Sequence, residues 1–247
     1  MDLQAQSQVH LRRWGAAMKT KTALPDGLAI RYRPRSFAEV IGQNAAVTPI
    51  ARAIDKGQPL RQVLLVGPPA IGKTTLARII SASLSCKQNG MSSQPCGQCD
   101  WCTRIFERYS SSEYAAAKIH DAKTLEKAIR GCWHGFFHAP GCVCIINEFN
   151  HLSQAVFRAL LHPLEEPPEG LVFVLCAEKT NGIPDAILSR CKKFDLLPVP
   201  VKQLVPFLQR VAQAEGATIS KPELTNIARN SGGFVRDALN ALEAAIV

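Results

Sequence analysis

The octapeptide GPPAIGKT, residues 67–74, constrains the fold of this chain more than any other stretch. It satisfies G-x-x-x-x-G-K-[ST] in full. In that pattern glycines let backbone N–H groups close around phosphate oxygens, the lysine reaches the β and γ phosphates, and the hydroxyl ligates Mg²⁺. Such a loop belongs between a buried strand and a helix whose positive end faces the anion. Both flanks fit. QVLLV is a short apolar run, and KTTLARIISASLSC sets Leu76, Ile79, Ile80 and Leu84 on one side of a helix. Gly67, Pro69, Ala70, Ile71, Gly72, Lys73, Thr74 and Thr75 are therefore the expected cradle, with Thr74 on the metal.

Two more apolar runs, CVCII and GLVFVLC, read as buried strands, and amphipathic helices lie between them. QNAAVTPIARAIDKG places Val47, Ile50, Ala51 and Ile54 on one face, and DAKTLEKAIRGCW opens on Asp121 as a cap. SQAVFRALLHPLEEPPE carries Pro163, which should kink the helix or end it early. Unbroken apolar strands alternating with helices predict a parallel α/β sheet covered on both faces. From about residue 199 strand signals stop, and three short helices follow. Ser220 and Glu223 form a capping pair before the second, and Gly232–Gly233 ends it.

The run CVCII ends in Asn147 and Glu148. Downstream of a phosphate loop, such a run usually ends in two acids, the first supporting Mg²⁺ and the second preparing the attacking water. Here the first is an amide, which can still accept from a metal-bound water but carries no charge. Glu148 keeps its carboxylate.

CKQNGMSSQPCGQCDWC sets Cys86, Cys96, Cys99 and Cys102 at spacings x9, x2 and x2. Two overlapping C-x-x-C steps can wrap backbone amides around one tetrahedral ion, and Zn²⁺ is the favoured one. Four thiolates leave no open position, so the site is structural. An iron–sulfur cluster or unmetallated buried thiols are the alternatives. Nine cysteines without a secretory signal argue against a disulfide framework. Cys132, Cys142, Cys144, Cys176 and Cys191 lie in apolar elements and read as core.

A chain of 247 residues holds one large domain or one and a half. Its net charge of +9 favours a polyanion partner such as nucleic acid. No apolar run is long enough to cross a membrane. The first 28 residues read as a flexible extension, with a faint likeness to a transit peptide.

RYRPRSFAEVIGQ, GPPAIGKTTLAR, the four-cysteine insertion, LLHPLEEPPEGLVFVL, ILSRC and SGGFVRDALNAL occur in that order. The ordered set resembles the bacterial DNA polymerase III clamp-loader gamma/tau family of the AAA+ class, over roughly residues 30–247. The resemblance implies a P-loop AAA+ domain at residues 29–198 with a zinc insertion at about 86–102, then a small all-helical lid at 199–247. It implies ATP, Mg²⁺ and Zn²⁺ as cofactors. Arg31, Arg33, Pro34, Val40 and Ile41 would lie on the adenine side. Lys73 and Glu148 would be catalytic, with Asn147 beside the metal. Arg190 would reach a neighbouring subunit's nucleotide, and Arg236 would sense γ-phosphate from the lid.

The implied partners are other clamp-loader subunits in a hetero-oligomeric ring, a sliding clamp and primer–template DNA, in the bacterial cytoplasm near the nucleoid. The resemblance implies that the sequence stops where the collar-forming third domain of that family would begin. Four departures stand out: Asn147 for aspartate, Glu178 where a small polar residue is expected, AAAK at 115–118, and Pro163. They leave an assembly-dependent, weakened ATPase as the first expectation and a non-hydrolysing, nucleotide-binding scaffold as the second. A branch-migration motor of the same class is the third, disfavoured by the cysteine insertion.

Overall fold

The computed structural model describes residues 26–106, 113–135 and 141–246. Within them the chain divides into two compact units, residues 34–198 and residues 199–246 together with 26–33. Most of the expected N-terminal extension, residues 1–25, lies outside the described residues.

Among the described residues the larger unit holds one parallel sheet. Its strands are β1 Gln62–Val66, β2 Glu113–Ala115, β3 Cys142–Asn147, β4 Leu171–Ala177 and β5 Lys192–Asp195, in the spatial order β2-β3-β4-β1-β5. In register, Val66 stands beside Ala177 and Asp195, and Asn147 beside Ala115. β1, β3 and β4 are buried along nearly their whole length, which explains their unbroken apolar sequences. The sequence reading missed both edges. β2 is three half-buried residues, and β5 reads KKFD with only Phe194 inside. Exposed edge strands lose the apolar signature because one side faces water.

The α-helices, in chain order among the described residues, are α1 Leu28–Arg31, α2 Asn44–Asp55, α3 Lys73–Ser85, α4 Asp100–Phe106, α5 Ala122–Gly135, α6 Gln154–Glu165, α7 Asp185–Leu188, α8 Val201–Ala214, α9 Lys221–Asn230 and α10 Val235–Ile246. α3 departs from its one-sided expectation. Every residue from Leu76 to Ser85 is buried, because the helix packs against β3 and β4 and also against α2 and α4. Ser81, Ser83 and Ser85 are small enough to allow that crowding. α6 starts where the Ser153 hydroxyl accepts from the Val156 N–H at 3.3 Å, and it stops two residues after Pro163. Pro163 has no N–H to give the Ala159 carbonyl, so the last turn is already weakened there. Asp121 caps α5, accepting from the Thr124 N–H at 2.7 Å.

In the smaller unit α8, α9 and α10 bury Leu204, Leu208, Val211, Leu224 and Leu242. Ser220 accepts from the Glu223 N–H at 3.4 Å where α9 begins. Residues 29–33, assigned to the nucleotide-binding domain on sequence, pack here instead. The Leu28 N–H donates to Glu243 at 3.3 Å, Arg31 pairs with Glu215 at 2.8 Å, and the Tyr32 hydroxyl donates to the same carboxylate at 2.5 Å. Buried Leu28 and these polar ties outweigh the chain proximity of residues 29–33 to the sheet.

Candidate nucleotide site and metal centre

Three adjacent strands end at one place. β4 lies between β3 and β1, so the loop after β1, Asn147 and Glu148 after β3, and Glu178 after β4 gather at the carboxyl edge of the sheet. Crevices at that edge are where open α/β sheets bind ligands.

The loop is held by backbone. The Gly67 N–H donates to the Ala177 carbonyl at 3.1 Å. A Cβ on Gly67 would come within 2.7 Å of the Leu196 carbonyl, so only glycine fits. Gly72, with φ of 109°, opens α3 in a conformation that side chains rarely adopt. Two non-glycine residues among those described have positive φ, Ala70 at 62° and Glu148 at 57°. Both sit at this site, where stored backbone strain commonly collects.

Lys73 folds back on the loop and donates to the carbonyls of Gly67 at 2.6 Å and Pro68 at 2.8 Å. Burial lowers its pKa below the ordinary lysine range, opposed by Cys176 and by the Glu178 carboxylate. The ammonium is therefore incompletely compensated, which suits a group that meets phosphate.

The Thr74 hydroxyl donates to Asn147 Oδ1 at 2.9 Å. Asn147 Nδ2 donates to Glu113 Oε1 at 2.9 Å, and Arg78 Nε donates to Glu113 Oε2 at 2.7 Å. Sequence reading missed Glu113 and Arg78. The available signal was a charged residue on an otherwise apolar helix, since a buried arginine requires a counter-charge. This donor set fits Mg²⁺: a threonine hydroxyl at the start of a helix beside an amide oxygen. Glu148 is exposed at the strand end. The Glu178 N–H donates to Asn150 Oδ1 at 3.0 Å, tying the ends of β4 and β3 together.

Arg190 lies in the larger unit just beyond α7. It donates to the Ala186 carbonyl at 2.6 Å and pairs with Glu165, the last residue of α6. Pro34, Val40 and Ile41 also belong to this unit, whereas Arg31, Arg33 and Arg236 belong to the helical one. Arg31 is committed to Glu215, and Arg236 stands in the first turn of α10.

At the far end of α3 the sulfur atoms of Cys86, Cys96, Cys99 and Cys102 lie within 4.8 Å of one another. Cys86 Sγ accepts from the N–H groups of Asn89 and Cys96, each at 3.3 Å, and Cys96 Sγ accepts from Cys99 N–H at 3.3 Å. Such N–H···S bonds stabilise thiolate charge. Burial opposes ionisation of Cys99, but N–H groups of Cys102 and Lys87 and the neighbouring thiols draw it down to about 6. The arrangement fits a four-thiolate zinc centre. The other five cysteines are buried or half-buried. Burial pushes Cys176 up to about 12 and Cys191 up to about 11, which leaves both thiols protonated and inert.

The strand order, the phosphate loop and the helical unit define a P-loop module of the AAA+ class. A solved structure of the RuvB Holliday junction branch migration motor from Thermotoga maritima shares this fold. Its TM-score is 0.67 at 22% identity, covering 86% of this chain and 64% of that one. A family model described as DNA polymerase III, delta subunit, matches residues 42–200, and the chain belongs to that family of DNA polymerase III subunits.

Its curated relatives carry the gamma and tau names. DNA polymerase III subunit gamma of Buchnera aphidicola subsp. Acyrthosiphon pisum is 36% identical over 221 residues, 89% of this chain and 61% of that protein. Subunit tau of Escherichia coli is 32% identical over 228 residues, 89% of this chain and 34% of that protein. The chain thus spans about three-fifths of the gamma relative and one-third of the tau relative. Among the described residues no helix is long and apolar enough to cross a membrane.

Proposed function

We propose that the chain binds ATP with Mg²⁺ and hydrolyses it as one subunit of a DNA polymerase III clamp loader, acting on a sliding clamp and primer–template DNA. The observation that carries this reading is the meeting of the phosphate loop, Thr74, Asn147 and Glu148 at the ends of the two strands that flank β4.

Lys73 exchanges its two loop carbonyls for β- and γ-phosphate oxygens. Loop N–H groups and the start of α3 take the remaining phosphate charge. Thr74 and Asn147 would hold Mg²⁺, which would supply charge neutralisation on the phosphates. Glu148 accepts from a water and aims it in line with the γ-phosphorus. No covalent protein intermediate is needed. Arg190 serves the nucleotide of a neighbouring subunit, so hydrolysis depends on assembly. Arg31, Arg33, Pro34, Val40 and Ile41 belong to the adenine side, and Arg236 to the γ-phosphate. Cys86, Cys96, Cys99 and Cys102 would hold Zn²⁺, which would tie the insertion together. The charge of +9 suits a nucleic-acid partner.

The amide at Asn147 favours a second reading, a subunit that holds nucleotide without turning it over. Phosphate release in the presence of the other subunits, clamp and primed DNA separates the two. Glu148→Gln and Arg190→Ala should each lower release by about 10²-fold or more. A wild-type rate no higher than that of Glu148→Gln establishes the scaffold reading.

A further inference from the structure

The amide of Asn147 can face Thr74 with its oxygen or with its nitrogen, two groups of nearly equal size and opposite hydrogen-bonding sense. Which one it presents is decided by its other neighbour. That neighbour is Glu113, whose carboxylate, paired with Arg78, is an acceptor. Nδ2 must therefore turn to Glu113 Oε1, at 2.9 Å, and Oδ1 to Thr74, at 2.9 Å.

The consequence falls on the threonine hydroxyl, which has one proton and two lone pairs. With its proton given to Oδ1, the lone pairs are left for a cation. With the amide reversed, Nδ2 would occupy a lone pair and turn the hydroxyl proton toward the cation. From the Thr74–Asn147–Glu113 relay we infer that Glu113 is a positioning residue for divalent-cation binding. It fixes the Asn147 amide and, through it, the orientation of the Thr74 hydroxyl.

The fold builds this relay from three elements. Glu113 stands beside Ile145 in the β2–β3 register, two residues before Asn147 and on the same face of the pleat. Arg78 follows Thr74 by one turn of α3. It is 7% exposed and holds the second Glu113 oxygen at 2.7 Å, so the carboxylate is fixed in place. An aspartate at position 147 would offer oxygen on both sides and need no such steering. The requirement for Glu113 is thus created by the amide.

The inference rests on the nucleotide-binding reading, and titration of a fluorescent ATP analogue, in EDTA and in Mg²⁺, tests each separately. Wild type should bind in EDTA and tighten in Mg²⁺. Glu113→Gln is isosteric. It should keep the EDTA affinity within about twofold, which reports an intact fold, and lose about tenfold of the Mg²⁺ enhancement. In an Asn147→Asp background the same substitution should cost none of it.

Full Mg²⁺ enhancement in Glu113→Gln overturns the inference, as does an equal loss in the Asn147→Asp background. Loss of EDTA binding in Glu113→Gln also overturns it, because the role is then structural. A wild type that binds the analogue in neither condition overturns the nucleotide reading and this inference with it.

Discussion

The two sides of the candidate site are built to different standards. On the loop side, residues 67–74 retain the full phosphate pattern, and the backbone is locked by Ala177 and by the close approach of Leu196. On the acid side, at the ends of β3 and β4, an amide stands at 147 and a carboxylate at 178, with Ala115–Lys118 alongside. On the proposed reading the loop side would hold an anion with backbone N–H groups, which substitution hardly touches. The acid side would work through individual side chains, each of which one mutation can remove. Binding and turnover would then reside in different elements and could be lost one at a time.

The sharpest way to break that contrast is at Lys73. Lys73→Ala removes charge-assisted bonds to two phosphates and should weaken ATP binding about 100-fold, measured by calorimetry. An unchanged affinity would mean that the loop side does not hold the nucleotide. A smaller effect of opposite sign is expected at Glu178. Its carboxylate acts on Lys73, but it is exposed and screened. Glu178→Gln should tighten ATP binding about threefold, measured in the same titration, with the gain shrinking as salt is added.

The smallest effect on nucleotide tests whether the cysteine centre belongs to either side. It lies beyond the other end of α3, about 20 Å along the helix from Lys73. Chelating its metal should leave ATP affinity within about twofold while lowering the thermal midpoint by about 5–10 °C, as loss of roughly 3 kcal/mol would. Metal analysis giving less than about half an equivalent of zinc per chain would remove that centre from the account.

What was legible in the sequence follows the same division. The loop was readable because its function is carried by spacing, GPPAIGKT between an apolar run and an amphipathic one. The three central strands were readable because burial on both faces leaves only apolar residues. β2 and β5 were not, since half-buried EYA and KKFD carry almost no pattern. The all-round burial of α3 was hidden for a different reason. Ser81 and Ser85 fall opposite the Leu76, Ile79, Ile80 and Leu84 face on a helical wheel, and only the packing of β3, β4, α2 and α4 around the helix makes them interior.

Glu113 could not be assigned because its role depends on a register between two strands that lie far apart in the chain. Arg31 has a partner that the sequence also hid. It sits in a motif expected at the adenine, yet its guanidinium is held by Glu215, a residue no local pattern connects to it.

The left-handed backbone at Glu148 sets robustness against work. A glycine there would adopt φ of 57° at no steric cost, whereas the glutamate holds it at a penalty of about 1–3 kcal/mol. Glu148→Gly would relieve that strain and in the same step remove the carboxylate proposed to aim a water. Stability and turnover thus pull in opposite directions at this one position.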